Sequence, residues 1–262
     1  EKLQLQIVEV KTLLAKLETK KYKERFLALE KKDSIATIKF NRPEAFNAVN
    51  SNAIRLFHDH VNNLTCDPNI RCVILTGSGD KAFCAGGDIS EFSQNLDNLD
   101  YLVREMTGFL HIGVSRLARL HAPVIASING VAAGAGLSLM AICDIAIASK
   151  SATFTSAYTK VGLSPDGSST YFLQRLINRR RLMELYLTNR VLNANEALEW
   201  GLINKVVDDN LLEEETSKLA SNLANGPTKA YSSVKKLLNE TWTETLETQM
   251  ERETIEIAKM TQ

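Results

Sequence analysis

The run Val124-Ile125-Ala126-Ser127-Ile128-Asn129-Gly130-Val131-Ala132-Ala133-Gly134-Ala135-Gly136-Leu137-Ser138 decides how this chain folds. Residues 124–128 are mostly apolar and partly β-branched, so they read as a strand buried on both faces, which a sheet covered by helices provides. A Gly/Ala turn follows, and an apolar helix opens near Ala135. Lacking side-chain bulk, the backbone of this turn can approach a ligand closely and offer it peptide N–H groups. The glycines after Gly130 do not have GxGxxG spacing and no Lys-Ser/Thr pair follows, so a nucleotide phosphate cradle is not indicated.

A second stretch of the same kind precedes it: Ala82-Phe83-Cys84-Ala85-Gly86-Gly87-Asp88-Ile89-Ser90-Glu91. Asp88 and Glu91 have N-cap and N3 spacing, which sets Gly87 beside a helix N-terminus whose dipole favours an oxygen bearing negative charge. Tight packing alone also calls for small residues where a turn enters a helix. Two such turns in one chain suggest two donors converging on one oxygen, the arrangement of an oxyanion hole. A third stretch, Tyr158-Thr159-Lys160-Val161-Gly162-Leu163-Ser164-Pro165-Asp166-Gly167-Ser168, supplies a carboxylate. Asp166 lies between Pro165 and Gly167 ahead of a predicted helix. That placement fits a turn or N-cap aspartate, and with uncharged neighbours apart from Lys160 it also fits a general base.

Working outward, residues 26–29 and 35–40 read as strands of a hairpin joined by the polar turn 31–34. Ile54, Phe57, Val61 and Leu64 form a helical stripe after the capping residues Asn50 and Ser51, and residues 72–76 form a short apolar strand. The theme returns in a helix ending near Leu120, the strand 124–128, a helix opening near Ala135, and the strand 145–148. A layered α/β domain follows. Beyond Ser168 the strand signal nearly vanishes. Asn193 and Glu196 form a capping-box pattern before a helix that stops at Gly201, and three further helical stretches run to the end. At the other end, Leu3, Ile7, Val10, Leu14 and Leu17 draw one apolar stripe, predicting an amphipathic helix from about residue 2 to 20. The expected division is an N-terminal helical extension over 1–21, a catalytic core over 22–200 and a helical region over 201–262.

Thirty-one Lys and Arg residues balance 31 Asp and Glu, leaving no net field to draw nucleic acid or an anionic membrane. Residues 131–142, the most apolar stretch, are too few to span a bilayer. The four cysteines are irregularly spaced, with no CxxC pair and no nearby histidine cluster, so neither a disulfide framework nor a metal site is expected. Nothing near Glu1 reads as the apolar core of a signal peptide. A reducing compartment is expected, cytoplasmic or, in a eukaryote, the mitochondrial or peroxisomal matrix.

AFCAGGDI over residues 82–89, INGVAAGAG over 128–136 and VGLSPDGSST over 161–170 resemble the three signatures of the enoyl-CoA hydratase/isomerase, or crotonase, family. Asn41-Arg42-Pro43 with Asn47-Ala48 resembles its early NRP…NA segment, and the likeness runs from about residue 22 to 260. The resemblance implies a crotonase, ClpP-like, α/β spiral of repeated β-β-α units with a helical C-terminal part, assembled as a homotrimer or dimer of trimers. It implies an acyl-CoA thioester as substrate and no separate cofactor, since coenzyme A is part of the substrate. The amides of Gly87 and Ala135 would hold the thioester oxygen and Asp166 would act as base. Ala85, Gly86, Asp88, Ile89, Gly134, Tyr158 and His111 would contact substrate.

Hydratases of the family carry two glutamates where this chain has Ser138 and Tyr158. The resemblance therefore favours the aspartate-base branch, in which a double bond moves from the 3 to the 2 position of an enoyl-CoA. Three alternatives stay open: an enoyl-CoA hydratase, a dehalogenase-like aryl-CoA hydrolase with Asp166 as nucleophile and His111 assisting, and a non-catalytic acyl-CoA-binding or partner-binding module. Chains of the family usually continue into a Lys/Arg-rich end that touches CoA, so part of the CoA site is expected to be missing after Gln262.

Overall fold

The structure is a computed structural model that describes residues 18–19 and 21–261. The helix expected over residues 2–20 lies outside the described residues, apart from Glu18 and Thr19, which are helical. Strands β1 (Leu27–Lys32) and β2 (Ile35–Phe40) form the expected antiparallel hairpin, with Leu27 opposite Phe40. Asp33 and Ser34, at φ 51° and 64°, close it, and two left-handed residues match the right-handed twist of the paired strands. Helix α1 (Ser51–Thr65) starts where the Asn50 side chain accepts the Ala53 N–H, and it buries Ile54, Phe57, Val61 and Leu64.

Next come β3 (Cys72–Gly77), β4 (Ala82–Cys84), α2 (Ile89–Ser93) and the long α3 (Leu99–Ala118). The pattern repeats as β5 (Val124–Ile128), β6 (Val131–Ala133) and α4 (Ala135–Ala141), and again as β7 (Ile145–Ser149), β8 (Thr153–Thr155) and α5 (Ser169–Leu176). In each repeat the first strand joins one sheet and the second joins another. The larger sheet has the order β1-β2-β3-β5-β7, and the smaller runs β4-β6-β8, with the members of each repeat parallel. This is the β-β-α spiral. β3, β5 and β7 are buried along almost their whole length, with α1 and α3 in the core on one side and α8 (Leu212–Ala224) against the other.

Two expectations need correction. The strand at 124–128 does not run straight through the turn into a helix, because β6 intervenes and crosses into the second sheet. A three-residue strand of small residues is too short to display a period of two. Strand signal also does not vanish after Ser168. β9 (Leu192–Asn193) pairs with β8, and β10 (Lys205–Val207) adds to the edge of the large sheet beside β7. The large sheet thus includes residues 205–207.

The rest of the C-terminal part is helical as read. After α6 (Arg179–Thr188), helix α7 (Ala194–Trp200) opens on a full Asn193/Glu196 capping box and closes at Gly201, φ 81°. α8, α9 (Thr228–Glu240) and α10 (Leu246–Lys259) finish the chain. Among the described residues no helix is long and apolar enough to cross a membrane.

Candidate active site

β4, β6 and β8 are parallel neighbours, so the segments leaving their C-terminal ends emerge side by side. Those segments are the three stretches the sequence singled out. Contact between the first two is intimate. A Cβ on Gly136 would stand 1.9 Å from the Cys84 carbonyl oxygen, so only glycine lets α4 start against the end of β4. Gly86, at φ +101°, lies against the next turn, where a Cβ would come 3.0 Å from the Ala133 oxygen and 3.4 Å from the Ala135 nitrogen.

The three segments border a cavity of about 340 Å³ lined by Ala85, Gly86, Gly87, Ile89, Gly134, Ala135, Tyr158 and Asp166. Its apolar wall comes from Ile54 of α1, Phe92 of α2, Leu163, and Val103, Met106 and Leu110 of α3. Neither the Gly87 nor the Ala135 N–H donates to another described residue, so both peptide donors are available at the cavity wall. Such donors stabilise charge developing on a carbonyl oxygen.

Asp166 is not a helix cap. α5 begins after Ser168 with no side-chain cap, while the Asp166 carboxylate lies at the cavity. Oδ1 accepts the Tyr158 hydroxyl at 2.7 Å, and Oδ2 has no partner among the described residues. Ser138 Oγ stands 2.9 Å from that hydroxyl and 3.1 Å from the Asp166 carbonyl oxygen. Burial, and then the negative charge of Asp166, push the Tyr158 phenol far above its ordinary range. It stays protonated and serves as a donor. Cys84, fully buried, is pushed up to about 12 and remains an unreactive thiol.

Two expected contact residues stand elsewhere. Asp88 points away from the cavity: Oδ1 accepts the Ser90 and Glu91 N–H groups at 3.0 and 3.3 Å, and Oδ2 accepts Arg42 at 2.7 Å. Its carboxylate is consumed by capping and by an ion pair. Glu91 does not complete a box with Asp88 but reaches the Ser51 N–H at 2.9 Å. His111 borders a different cavity behind the Asp166 turn, and its Nε2 accepts the Gly167 N–H at 3.2 Å.

Arg42 and Asn47 were legible as part of a motif without a role. Arg42 also donates to the Ala48 oxygen at 2.9 Å, while Asn47 accepts the Arg42 N–H and donates to the Ser78 and Ala82 oxygens. Val49 exchanges backbone bonds with Gly86 and Asp88, at 2.8 and 3.0 Å. Segment 42–49 therefore clamps the turn that presents Gly87. The hydrogen-bonding role of Ser138 and the α3 wall carried no sequence signal, because both depend on partners far away in the chain.

An α/β spiral with two free amides and a carboxylate around an apolar cavity defines the class, and the chain belongs to the enoyl-CoA hydratase/isomerase family, whose model matches residues 30–262. It is an acyl-CoA enzyme of that family with the crotonase fold. It is 38% identical over 231 residues to 1,2-epoxyphenylacetyl-CoA isomerase of Escherichia coli K12, covering 87% of each chain. It is 34% identical to 4-chlorobenzoyl coenzyme A dehalogenase-2 of Arthrobacter sp., covering 87% of this chain and 82% of that one. The crystal structure of an enoyl-CoA hydratase from Bacillus anthracis superimposes with a TM-score of 0.83 at 31% identity, over 89% of this chain and 90% of that one.

Proposed function

We propose that the protein moves a double bond in an enoyl-CoA thioester from the 3 to the 2 position. Asp166 takes a proton from C2, and the electron pair of that C–H bond flows onto the thioester oxygen. The Gly87 and Ala135 amides hold the resulting enolate oxygen. When the enolate collapses, the 3,4 double-bond electrons take the proton back at C4 and a 2,3 double bond remains. The proton is returned, so no second reactant is consumed.

The observation that carries this reading is a single carboxylate at the cavity among the described residues, with hydroxyls at Ser138 and Tyr158 hydrogen-bonded to it or to each other. Hydration needs one group to activate water and another to deliver a proton, and two hydroxyls supply no such carboxylate pair. A dehalogenase-like hydrolysis assisted by His111 is disfavoured, because that ring lies outside the cavity with Nε2 already occupied. The test is a panel of 3-enoyl-, 2-enoyl- and aryl-CoA thioesters with product identification. Rapid hydration of 2-enoyl-CoA with no rearrangement of 3-enoyl-CoA overturns the reading.

Assembly as a trimer or a pair of trimers is part of the same proposal. Leu238, Trp242, Leu246 and Ile257 stand exposed on and between α9 and α10, which supports burial against another copy of the chain. A monomeric mass by sedimentation at micromolar concentration would count against it.

A further inference from the structure

The middle of α3 serves two cavities. Met106, Thr107 and Leu110 face the acyl cavity, and the next residue, His111, reaches the turn that carries Asp166. An imidazole nitrogen that accepts an N–H must be bare, so Nε2 serves here as an acceptor. The turn needs an outer hold. Gly167 and Ser168 are consecutive left-handed residues at φ +60° and +66°, a conformation that persists for serine only where its surroundings enforce it. On the inner side Ser138 holds the Asp166 carbonyl and Tyr158 holds its carboxylate. On the outer side lies a second cavity of about 350 Å³ bordered by His111, Ser168, Tyr171 and Asn239, so a hydrogen bond rather than close packing secures that side.

We infer that His111 is a positioning residue: by pinning the Gly167 peptide it fixes Asp166 Oδ2 relative to substrate C2, and it carries no proton in the reaction. The inference rests on the reading of Asp166 as the base. It also assigns a place to the one histidine the sequence singled out. The acyl wall and the base turn are joined through a single helix, so a shift of α3 moves both together.

The test uses His111→Leu and His111→Gln. The glutamine amide oxygen stands as many bonds from Cα as Nε2 does and can accept the Gly167 N–H, whereas leucine fills space without an acceptor. Loosening a base by a fraction of an ångström is expected to lower kcat for 3-enoyl-CoA roughly ten- to a hundredfold in His111→Leu, with KM within about twofold. His111→Gln is expected to recover kcat to within about threefold of wild type. Amide exchange at Gly167 should quicken in His111→Leu and stay protected in His111→Gln.

Wild-type kcat in His111→Leu, or unchanged protection of Gly167, overturns the inference. Gln as inactive as Leu with Gly167 protected also overturns it, because the imidazole itself would then be doing chemistry. A wild type that leaves 3-enoyl-CoA unchanged overturns the isomerase reading instead, and the positioning claim is then decided by the exchange measurement.

Discussion

Tyr158 and Asp166 act as one hydrogen-bonded unit: the phenol donates to Oδ1 at 2.7 Å and leaves Oδ2 without a partner among the described residues. The phenol cannot surrender its proton at neutral pH, since burial and the adjacent carboxylate both disfavour the phenolate. Its part is to fix the carboxylate rotamer. Tyr158→Phe keeps the ring in place and removes only the donor. A hydrogen bond to a charged group is worth about 1.5–3 kcal/mol, so kcat should fall roughly tenfold or more with KM little changed. Steady-state kinetics on 3-enoyl-CoA checks this, and an unaltered kcat would mean the carboxylate is placed without the phenol.

Asp166→Asn retains an oxygen for the Tyr158 donor but has no basic oxygen for the C2 proton. Loss of a positioned base is expected to cost about a hundred- to ten-thousandfold in kcat, with CoA-thioester binding preserved. Calorimetric binding beside turnover separates the two. If wild type and variant are equally inert while both bind, the protein is a binding module.

Arg42 and Asp88 form a largely enclosed pair, with side chains 17% and 11% exposed. Arg42→Ala leaves the carboxylate without its counter-ion and frees the Ala48 carbonyl, a change that costs about 3–5 kcal/mol when a buried pair is broken. Stability and kcat should drop together, because the released turn carries the Gly87 amide. Denaturant unfolding alongside kinetics tests the link, and a loss of stability with full kcat would disconnect the pair from the donor.

Gly136→Ala puts a Cβ 1.9 Å from the Cys84 carbonyl oxygen, a backbone atom that cannot swing aside. Overpacking of this kind costs about 1–3 kcal/mol and can cost more, and here it pries α4 from β4, moving the Ala135 amide. Reduced yield, a lower unfolding midpoint and weakened activity are expected together. An alanine variant with wild-type midpoint would show that the two turns are not in register as described.

Glu256 of α10 is clasped by Lys236 and Ser233 of α9 and by Lys259, at 2.9, 2.7 and 2.9 Å. These donors hold its carboxyl down at about 2, against 4.5 ordinarily. The folded state thus binds this proton more weakly than the unfolded state, so the contribution to stability is complete above about pH 4.5 and lost as pH falls toward 2. Amide exchange along α10 should quicken over that window in wild type. In Glu256→Gln that pH dependence should flatten, and an identical profile in both proteins would clear Glu256 of the role.

The sequence by itself determined the local vocabulary. The β1–β2 hairpin, the Asn50 cap of α1, the buried strand 124–128 and the Asn193/Glu196 box with its Gly201 stop all follow from side-chain periodicity and end chemistry, which act over a few residues. It also marked the small-residue turns at Gly87 and Ala135 and the carboxylate at 166, because backbone access demands small side chains wherever it occurs. Tertiary structure alone decided what faces what. β4, β6 and β8 have three residues each, too few to show a pattern, yet their parallel pairing is what brings three distant stretches to one cavity. The same pairing turned Asp88 inward to Arg42, set His111 behind the Asp166 turn rather than at the wall of the first cavity, and gave Ser138 its partners. Hydrogen bonds across 20 to 56 residues are fixed by how strands and helices stack, and no local pattern encodes the far partner.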